Sequence, residues 1–176
     1  MDASLALSLN HLATHLQGVL PLLSNSMVYI IFIIGSLWVA LQQLGRLRYM
    51  VIDFMYSIAT PLAGAVLISE GLSKVIDRDR PFVTDKSITL LVPHNADGGF
   101  PSHHMTVMVA IAISIWFRNR ALGVILLIAS LISGIARVGA GIHYPTDILA
   151  GLVIGFATTA VVYRLTNEAR LRALRN

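Results

Sequence analysis

Long apolar runs alternate with short polar links along most of the chain. Five runs approach the roughly 20 residues that a helix needs to cross a bilayer, and the third is the shortest. They cover residues 27–44, 49–75, 104–117, 121–138 and 145–163. The links "GRLRY" and "RNR" between neighbouring runs are short, so they predict tight antiparallel hairpins. The pattern therefore predicts an all-α bundle of five transmembrane helices.

The first apolar segment, residues 5–23, differs from these runs because it is two-sided. At about 100° per residue, six leucines share one face of the predicted helix. They are Leu5, Leu9, Leu12, Leu16, Leu20 and Leu23. The opposite face, expected to be wet, carries Asn10, His11, Thr14, Gln17 and Gly18. Such a helix suits the membrane surface, so residues 1–24 are predicted to form an amphipathic interfacial helix, with a sixth span as the alternative.

Composition places the chain among integral membrane proteins. Of its 176 residues, 56% are hydrophobic and only 12% are charged, whereas charged residues make up about a quarter of a soluble domain. This length suits a single domain over residues 1–176, with a transmembrane core at 27–163. The lack of cysteine excludes disulfides, thiolate nucleophiles and cysteine-bound metals. The first ten residues have no basic region, so no cleavable signal peptide is expected.

Basic residues predict how the bundle is oriented. With five spans, one side receives eight arginines, and the positive-inside rule assigns that side to the cytoplasm. They are Arg46, Arg48, Arg118, Arg120, Arg164, Arg170, Arg172 and Arg175. The net charge of +4 therefore reflects topology, and no nucleic-acid partner is expected. Residues 164–176 are predicted to form a basic cytoplasmic tail, and the N-terminus is predicted to lie outside.

Three short stretches of charged and reactive residues fall on the outer side. The stretch "KVIDRDRPF" (residues 74–82) leaves the second span, and "FPSHH" (100–104) enters the third. The last stretch, "ARVGAGIHYPTD" (136–147), joins the fourth span to the fifth. Arg80 and Arg137 in these stretches suit phosphate oxygens, because a guanidinium group offers a planar fork of N–H donors.

The other residues in these stretches suit phosphoryl transfer without a metal or cofactor. Ser102 lies at a predicted helix N-terminus, where free backbone amides favour an anion, so it is a candidate phosphate ligand. Asp147, one turn into the fifth span, is predicted to orient the imidazole of His143. His143 is then the candidate nucleophile, and His104 is available to protonate the leaving group.

Each motif taken alone also has a structural interpretation. Ser102 is also suited to capping a helix, Arg137 to a structural ion pair, and the His143–Asp147 spacing is uninformative by itself. However, three separate segments place these residues on the same membrane face, which favours one functional site built from all of them. A transporter or lipid-binding protein with a histidine proton relay is another class of function. It requires polar residues through the bundle, and the cores "MVAIAISI" and "VILLIAS" contain almost none.

Together these motifs resemble the tripartite signature of the type 2 phosphatidic acid phosphatase superfamily. The signature positions are Arg80-Pro81, Pro101-Ser102-His103-His104, and Arg137, His143 and Asp147. The stretches "LLVPHNADGGFPSHH" and "WFRNR" are similar to those of the bacitracin-resistance-type undecaprenyl-diphosphate phosphatases. The resemblance covers most of the chain. It implies a helical core shared with vanadium haloperoxidases and chemistry without a metal.

The resemblance also implies an activity and a place for it. The reaction is hydrolysis of undecaprenyl diphosphate through a phosphohistidine at His143, with His104 as acid/base and Asp147 as charge-relay partner. The implied phosphate ligands are Arg80, Ser102 and Arg137. The site would face the outside of a bacterial cell (inner) membrane and recycle the lipid carrier of cell-wall synthesis. The alternatives are other lipid phosphates: phosphatidylglycerophosphate, phosphatidic acid or a shorter isoprenyl diphosphate.

A few positions depart from the family pattern. The family pattern has a lysine before the signature Arg-Pro, and the corresponding position here is Ser73. Either Lys74, the next residue, reaches the phosphate from a shifted backbone, or this phosphate-binding lysine is missing. His103 is either an extra donor to the distal phosphate or an exposed bystander. His94 is interpreted as part of a loop turn, and Asp97 as either a turn residue or a group that orients the second phosphate. The alternating charges of residues 77–80 predict local ion pairing.

Overall fold

Residues 2–175 fold into a bundle of eight α-helices. The structure is a computed structural model that describes residues 2–175, and within this range every regular element is helical, which confirms the all-α prediction. The helices are α1 (Asp2–Ala13), α2 (Met27–Leu41), α3 (Leu47–Phe54), α4 (Thr60–Ile76), α5 (Pro81–Thr84), α6 (His103–Trp116), α7 (Arg120–Gly139) and α8 (Pro145–Arg175).

Helical segments occupy all five predicted spans. Within residues 2–175, four helical segments are long and apolar enough to cross a membrane. They are Leu22–Leu41, Leu47–Thr84 (which contains the non-helical residues 77–80), Arg120–Gly139 and Pro145–Arg175. The fifth, α6, is apolar but shorter, as its sequence indicates. A π-helical turn at Met55–Ala59 joins α3 to α4 directly before Pro61, whose ring removes one donor from the helical ladder.

Helix α6 is the centre of the bundle. It packs against α2, α4, α7 and α8, and its residues from Met105 to Ile115 are almost all buried. This explains why α6 is apolar around its whole circumference, since a helix surrounded by other helices has no exposed face. Its N-terminus, beginning at His103, is therefore held in a fixed position at one end of the bundle.

Glycines in α8 allow this close packing. A Cβ atom on Gly151 would lie 2.7 Å from the carbonyl oxygen of Ser102. One on Gly155 would lie 2.6 Å from the carbonyl oxygen of Thr106. Real Cβ atoms do not approach oxygen so closely, so these glycines bring the backbones of α6 and α8 into contact.

Helix α1 packs on the protein through a face of small side chains and one asparagine. Ala6, Asn10 and Ala13 are buried against α7 and the loop before α6, whereas Leu5 and Leu12 are exposed. The expectation that Asn10 faces water is wrong. Its Nδ2 atom donates to the carbonyl oxygens of Gly139 and Thr89, both at 2.8 Å, and its Oδ1 atom accepts from the Thr89 amide at 2.9 Å. These bonds satisfy the buried amide group.

The opposite end of the bundle is tied together by a buried carboxylate. Asp53 is fully buried and pairs with Arg118 at 2.6 Å and with Arg170 at 2.8 Å. The residues predicted as a basic tail continue α8 as far as Arg175, and one of them thereby anchors α8 to α3.

Candidate active site

The three predicted stretches meet at the end of the bundle where α6 and α8 begin. The amide of Phe82 donates to the carbonyl oxygen of Gly141 at 3.3 Å. The amide of Ser102 donates to the carbonyl oxygen of Asp147 at 3.1 Å. Nη1 of Arg80 donates to the carbonyl oxygen of Ile142 at 2.9 Å. These bonds join residues far apart in the chain, so the predicted convergence is present.

His143 lies at the centre of the cluster, with only 2% of its surface exposed. Its Nδ1 atom is 2.9 Å from the carbonyl oxygen of Gly99. Because a carbonyl oxygen only accepts, Nδ1 carries the proton and Nε2 of the neutral ring keeps its lone pair. Nε2 lies 3.2 Å from Nη2 of Arg137 and 3.4 Å from Nη1 of Arg80. Nε2 thus faces two cationic groups.

The surroundings of His143 favour its neutral form. Burial lowers the pKa of His143 well below its usual range, and the guanidinium groups of Arg137 and Arg80 lower that pKa further. Burial disfavours a charged imidazole, and nearby positive charges disfavour it again. The ring is therefore available as a nucleophile near neutral pH.

Arg137 is almost wholly buried, at 1% exposure. Its Nη1 atom donates to the carbonyl oxygen of Ser24 at 2.7 Å, and Nη2 faces His143. Its Nε atom is buried and has no hydrogen-bond partner in residues 2–175. A buried guanidinium with an unused donor and no carboxylate partner is suited to an incoming anion.

Arg80 is held by the loop that precedes α6. Its Nε and Nη2 atoms both donate to Oδ1 of Asp97, at 3.1 and 2.9 Å, and Nη2 also donates to the carbonyl oxygen of Gly98 at 3.2 Å. Asp97 is largely exposed while Arg80 is buried. The Asp97 carboxylate thus takes up the N–H groups on Nε and Nη2 of Arg80, which are groups that a phosphate oxygen could otherwise use.

Ser102 precedes the first residue of α6, yet its side chain does not cap the helix. The hydroxyl group is fully buried and lacks a hydrogen-bond partner within the part of the chain that the structure describes. An unpartnered buried hydroxyl is costly, which is consistent with a group kept for a ligand. The capping interpretation of Ser102 is therefore wrong.

Asp147 is fully buried beside His143 but is not its nearest acceptor. Its Oδ2 atom lies 3.6 Å from Nδ1 of His143, beyond hydrogen-bond distance, and accepts from the Tyr144 amide at 2.7 Å. Its Oδ1 atom accepts from Arg78 at 2.9 Å. The carbonyl oxygen of Gly99 makes the hydrogen bond that fixes the imidazole, so the predicted orienting role of Asp147 is at most shared with it.

The two neighbouring histidines have different surroundings. His103 turns toward α4, where its Nδ1 atom lies 2.9 Å from Oγ of Ser69 and 3.9 Å from Oε1 of Glu70. His104 is partly buried in the first turn of α6, two residues after Ser102. His103 is thus hydrogen-bonded to a different helix, and the acid/base role of His104 stays a prediction from the sequence.

Lys74 stands apart from the cluster. It is exposed on the last turn of α4 and forms no hydrogen bond or ion pair with any residue in 2–175. The side chain of Ser73 faces the loop before α6, where its Oγ atom would lie 3.5 Å from a Cβ on Gly98. The structure thus offers no support for Lys74 as a replacement for the family lysine.

Several contributors to the site carry no recognisable sequence signal. Gly99 and Ser24 act through backbone carbonyl groups, which every residue has. Arg78 pairs with Asp2 and Asp147, not with its sequence neighbours, so the predicted local ion pairing is absent there. Residues 2–175 hold no group of three or more histidine, aspartate or glutamate side chains that suits a metal ion. Metal-free chemistry stays a prediction.

The fold and this cluster define a multi-pass helical membrane protein with a buried, cationic group of side chains at one end of the bundle. The chain belongs to the PAP2 superfamily, whose family model matches residues 51–171. It is 38% identical over 116 residues to undecaprenyl-diphosphatase BcrC of Bacillus subtilis (strain 168), covering 66% of this chain and 59% of that protein. The resemblance to the bacitracin-resistance type is confirmed.

Other relatives and solved structures agree with this assignment. The chain is 33% identical over 105 residues to the putative undecaprenyl-diphosphatase YbjG of Escherichia coli (strain K12), covering 58% of this chain and 52% of that protein. The matches thus span between half and three fifths of the curated relatives' lengths. A PAP2-type phosphatidylglycerolphosphate phosphatase from Bacillus subtilis has a similar fold, with a TM-score of 0.66, 18% identity and coverage of 95% of this chain and 85% of that one. LpxE of Aquifex aeolicus has a TM-score of 0.56, 19% identity and coverage of 84% and 93%.

Proposed function

We propose that this protein is a membrane lipid phosphatase that converts undecaprenyl diphosphate to undecaprenyl phosphate and inorganic phosphate. The observation that carries the proposal is the lone pair on Nε2 of His143, which lies 3.2 Å from Arg137 and 3.4 Å from Arg80. A nucleophile between two phosphate-binding cations meets the main need of phosphoryl transfer, which is positioning with charge stabilisation. The relatives named as undecaprenyl-diphosphatases support the choice of substrate.

The first step transfers the terminal phosphoryl group to His143. Nε2 attacks the terminal phosphorus, a P–N bond forms, and the bond from that phosphorus to the bridging oxygen breaks. The electron pair stays on the bridging oxygen, and protonated His104 donates its proton there as undecaprenyl phosphate departs. Arg80, Arg137 and the free hydroxyl of Ser102 hold the oxygens on which charge accumulates.

The second step releases inorganic phosphate. His104, now neutral, accepts a proton from a water molecule as the water oxygen attacks phosphorus. The P–N bond breaks and its electron pair returns to Nε2 of His143. Both imidazoles then have the protonation with which they began. Gly99 keeps the His143 ring in one tautomer throughout. Its carbonyl oxygen lies 2.9 Å from Nδ1 and accepts the hydrogen bond from the Nδ1–H group.

The membrane setting follows from the same proposal. The whole chain acts as one phosphatase domain in a bacterial inner membrane, with the pocket on the extracytoplasmic side, because the predicted basic links lie at the other end. The diphosphate occupies the pocket while the long isoprenoid tail stays in the bilayer. The product is the lipid carrier that cell-wall synthesis reuses.

A panel of purified substrates tests both the reaction and the lipid. Phosphate release is measured in detergent from undecaprenyl diphosphate, farnesyl diphosphate, phosphatidylglycerophosphate and phosphatidic acid. We expect the highest kcat/KM for undecaprenyl diphosphate, near-complete loss in His143→Ala, and full activity in EDTA. Equal release by the wild type and His143→Ala would refute the mechanism, and loss in EDTA would contradict its independence from metals.

The second candidate is a phosphatase for another lipid phosphate. One of the solved proteins of similar fold is named as a phosphatidylglycerolphosphate phosphatase. The residues that contact phosphate do not discriminate between lipid tails. A higher kcat/KM for phosphatidylglycerophosphate than for either isoprenyl diphosphate would favour this candidate.

A further inference from the structure

A third arginine, Arg78, lies against the pocket without reaching His143. Its Nη1 atom donates to Oδ1 of Asp147 at 2.9 Å and to Oγ1 of Thr146 at 2.6 Å. Its Nη2 atom donates to Oδ2 of Asp2 at 2.8 Å, and its guanidinium carbon lies 4.1 Å from the centre of the Tyr144 ring. Hydrogen bonds and stacking therefore fix the guanidinium group in position on several sides.

Asp147 depends on Arg78 for a positive partner. The carboxylate is fully buried, and within residues 2–175 its ion-pair partners are Arg78 and, at 3.6 Å, the imidazole of His143. Burial lowers the pKa of His143, so that ring is neutral and supplies no charge. Arg80 pairs with Asp97, and Arg137 donates to the carbonyl oxygen of Ser24, so neither of them pairs with Asp147. Removing one partner of a buried ion pair is strongly unfavourable, so Arg78 holds the Asp147 carboxylate in place.

Asp147 in turn touches two parts of the pocket. Its carbonyl oxygen accepts the amide of Ser102 at 3.1 Å, and its Oδ2 atom accepts the amide of Tyr144, the residue after His143. A shift of Asp147 would therefore move both the proposed phosphate ligand Ser102 and the proposed nucleophile. Displacements of about 1 Å from a productive geometry cost roughly 100-fold in rate.

We propose that Arg78 is a positioning residue for the phosphatase reaction, which acts by holding Asp147 and through it the backbone around His143 and Ser102. This inference rests on the proposed function. It assigns a role to a residue outside the phosphate-binding pair Arg80 and Arg137. The bond from Arg78 to Asp2 of α1 is a separate contact, and α1 remains anchored by the buried Asn10 when that bond is lost.

Four variants separate this role from a structural one. Arg78→Gln removes the cation from Asp147, Arg78→Lys retains a positive charge, and Asp2→Asn breaks the link to α1 while leaving Asp147 paired. Lys86→Gln, on an exposed residue of the same outer loop, makes the same charge change as Arg78→Gln without a partner to lose. The measurements are kcat and KM on undecaprenyl diphosphate, with thermal unfolding in detergent.

We expect Arg78→Gln to lower kcat by about 10- to 100-fold with KM changed by less than about threefold, since the phosphate ligands are intact. Arg78→Lys should recover most of kcat, and Asp2→Asn and Lys86→Gln should remain within about twofold of the wild type. An unchanged kcat in Arg78→Gln would overturn the proposal. So would an equal loss in Asp2→Asn, because the role of Arg78 would then be to hold α1.

A second readout does not require turnover. The ring resonances of His143 are compared by NMR in nitrogen-15-histidine-labelled protein. We expect them to shift in Arg78→Gln and to stay in place in Lys86→Gln, because Asp147, which bonds to the amide of Tyr144 at 2.7 Å, would move without Arg78. Unchanged His143 resonances in Arg78→Gln would overturn the role of Arg78. If the wild type released no phosphate from any lipid, the proposed function would fail, and this comparison would still test the coupling.

Discussion

Nε2 of His143 lies 3.2 Å from Nη2 of Arg137, while Nδ1 of the same ring is bound to the carbonyl oxygen of Gly99. The two ring nitrogens thus have opposite surroundings. One is held by a backbone acceptor, and the other faces the guanidinium group of Arg137, which has no carboxylate partner among residues 2–175. This asymmetry gives the imidazole a defined tautomer before any ligand arrives.

The first prediction concerns the protonation of His143. Burial, with Arg137 and Arg80, holds the pKa of His143 well below its ordinary value of 6.5. The neutral, nucleophilic form therefore persists above the lowered pKa and is lost only as the pH falls through it. NMR titration of the labelled imidazole, assigned with His143→Asn, should give a midpoint below 6.5. Arg137→Gln should raise that midpoint, because it removes a neighbouring positive charge. A midpoint at or above the ordinary value in the wild type would contradict the geometry.

The second prediction uses His103 and His104 as a matched pair. His104→Ala should lower kcat by roughly 100- to 10,000-fold, as expected for loss of a general acid and base. His103→Ala should cause a smaller loss, since His103 binds Ser69 of α4 at 2.9 Å. The measurement is kcat on undecaprenyl diphosphate. Equal losses in the two variants would argue against His104 as the proton donor.

The signature residues could be predicted from sequence because each has a rare side chain in a rare position. Two adjacent histidines at the start of an apolar run, or an arginine inside one, have few structural roles in a membrane. The residues that fix them were not predictable in the same way. Gly99 contributes a carbonyl oxygen that any residue possesses, and Asp2 contacts Arg78 from a position 76 residues away in the sequence.

The same distinction explains what was missed in the fold. The spans follow from hydrophobic length alone, since each must match the bilayer. The orientation of α1 does not follow from hydrophobic length. Asn10 lies among leucines in the sequence, and its burial depends on hydrogen bonds to the carbonyl oxygens of Gly139 and Thr89. A polar residue on an amphipathic helix indicates water or a hydrogen-bonding protein surface, and only the packed structure decides between them.

The third prediction concerns the free hydroxyl of Ser102. Ser102→Ala should lower kcat/KM by about 10- to 100-fold, because a hydrogen bond to a charged group contributes about 1.5–3 kcal/mol. Stability should not fall, since the buried hydroxyl has no hydrogen-bond partner in residues 2–175 to lose. Ser133→Ala is the control, because the Ser133 hydroxyl in α7 is also buried and without a partner in that range. A comparable loss of activity in Ser133→Ala would remove the case for Ser102 as a phosphate ligand.

The fourth prediction concerns Asp97, whose Oδ1 atom accepts from Nη2 of Arg80 at 2.9 Å. A phosphate oxygen must share or displace this carboxylate. Asp97→Asn should therefore strengthen inhibition by inorganic phosphate about two- to fivefold, the range expected for a largely exposed ion pair. Asp85→Asn is the control, because the Asp85 carboxylate bonds to Ser87. An unchanged inhibition constant in Asp97→Asn would show that Asp97 does not compete with the ligand.

The last prediction links helix packing to the site. A Cβ on Gly151 would lie 2.7 Å from the carbonyl oxygen of Ser102, so Gly151→Ala must displace the first turn of α6. We expect it to lower the free energy of unfolding by about 1–3 kcal/mol and to lower kcat as well, because the displaced turn carries Ser102 and His104. Both quantities are measured in detergent, by thermal unfolding and by phosphate release.

Gly71 and Gly155 provide the comparisons for this substitution. No atom lies within 4 Å of a Cβ on Gly71, so Gly71→Ala should leave activity unchanged and stabilise α4 by up to about 1 kcal/mol. Gly155→Ala meets the Thr106 carbonyl oxygen at 2.6 Å, one turn farther from the pocket, so it should lower stability with less effect on kcat. If Gly151→Ala were as stable and as active as Gly71→Ala, the contact between α6 and α8 would not be what holds Ser102 in place.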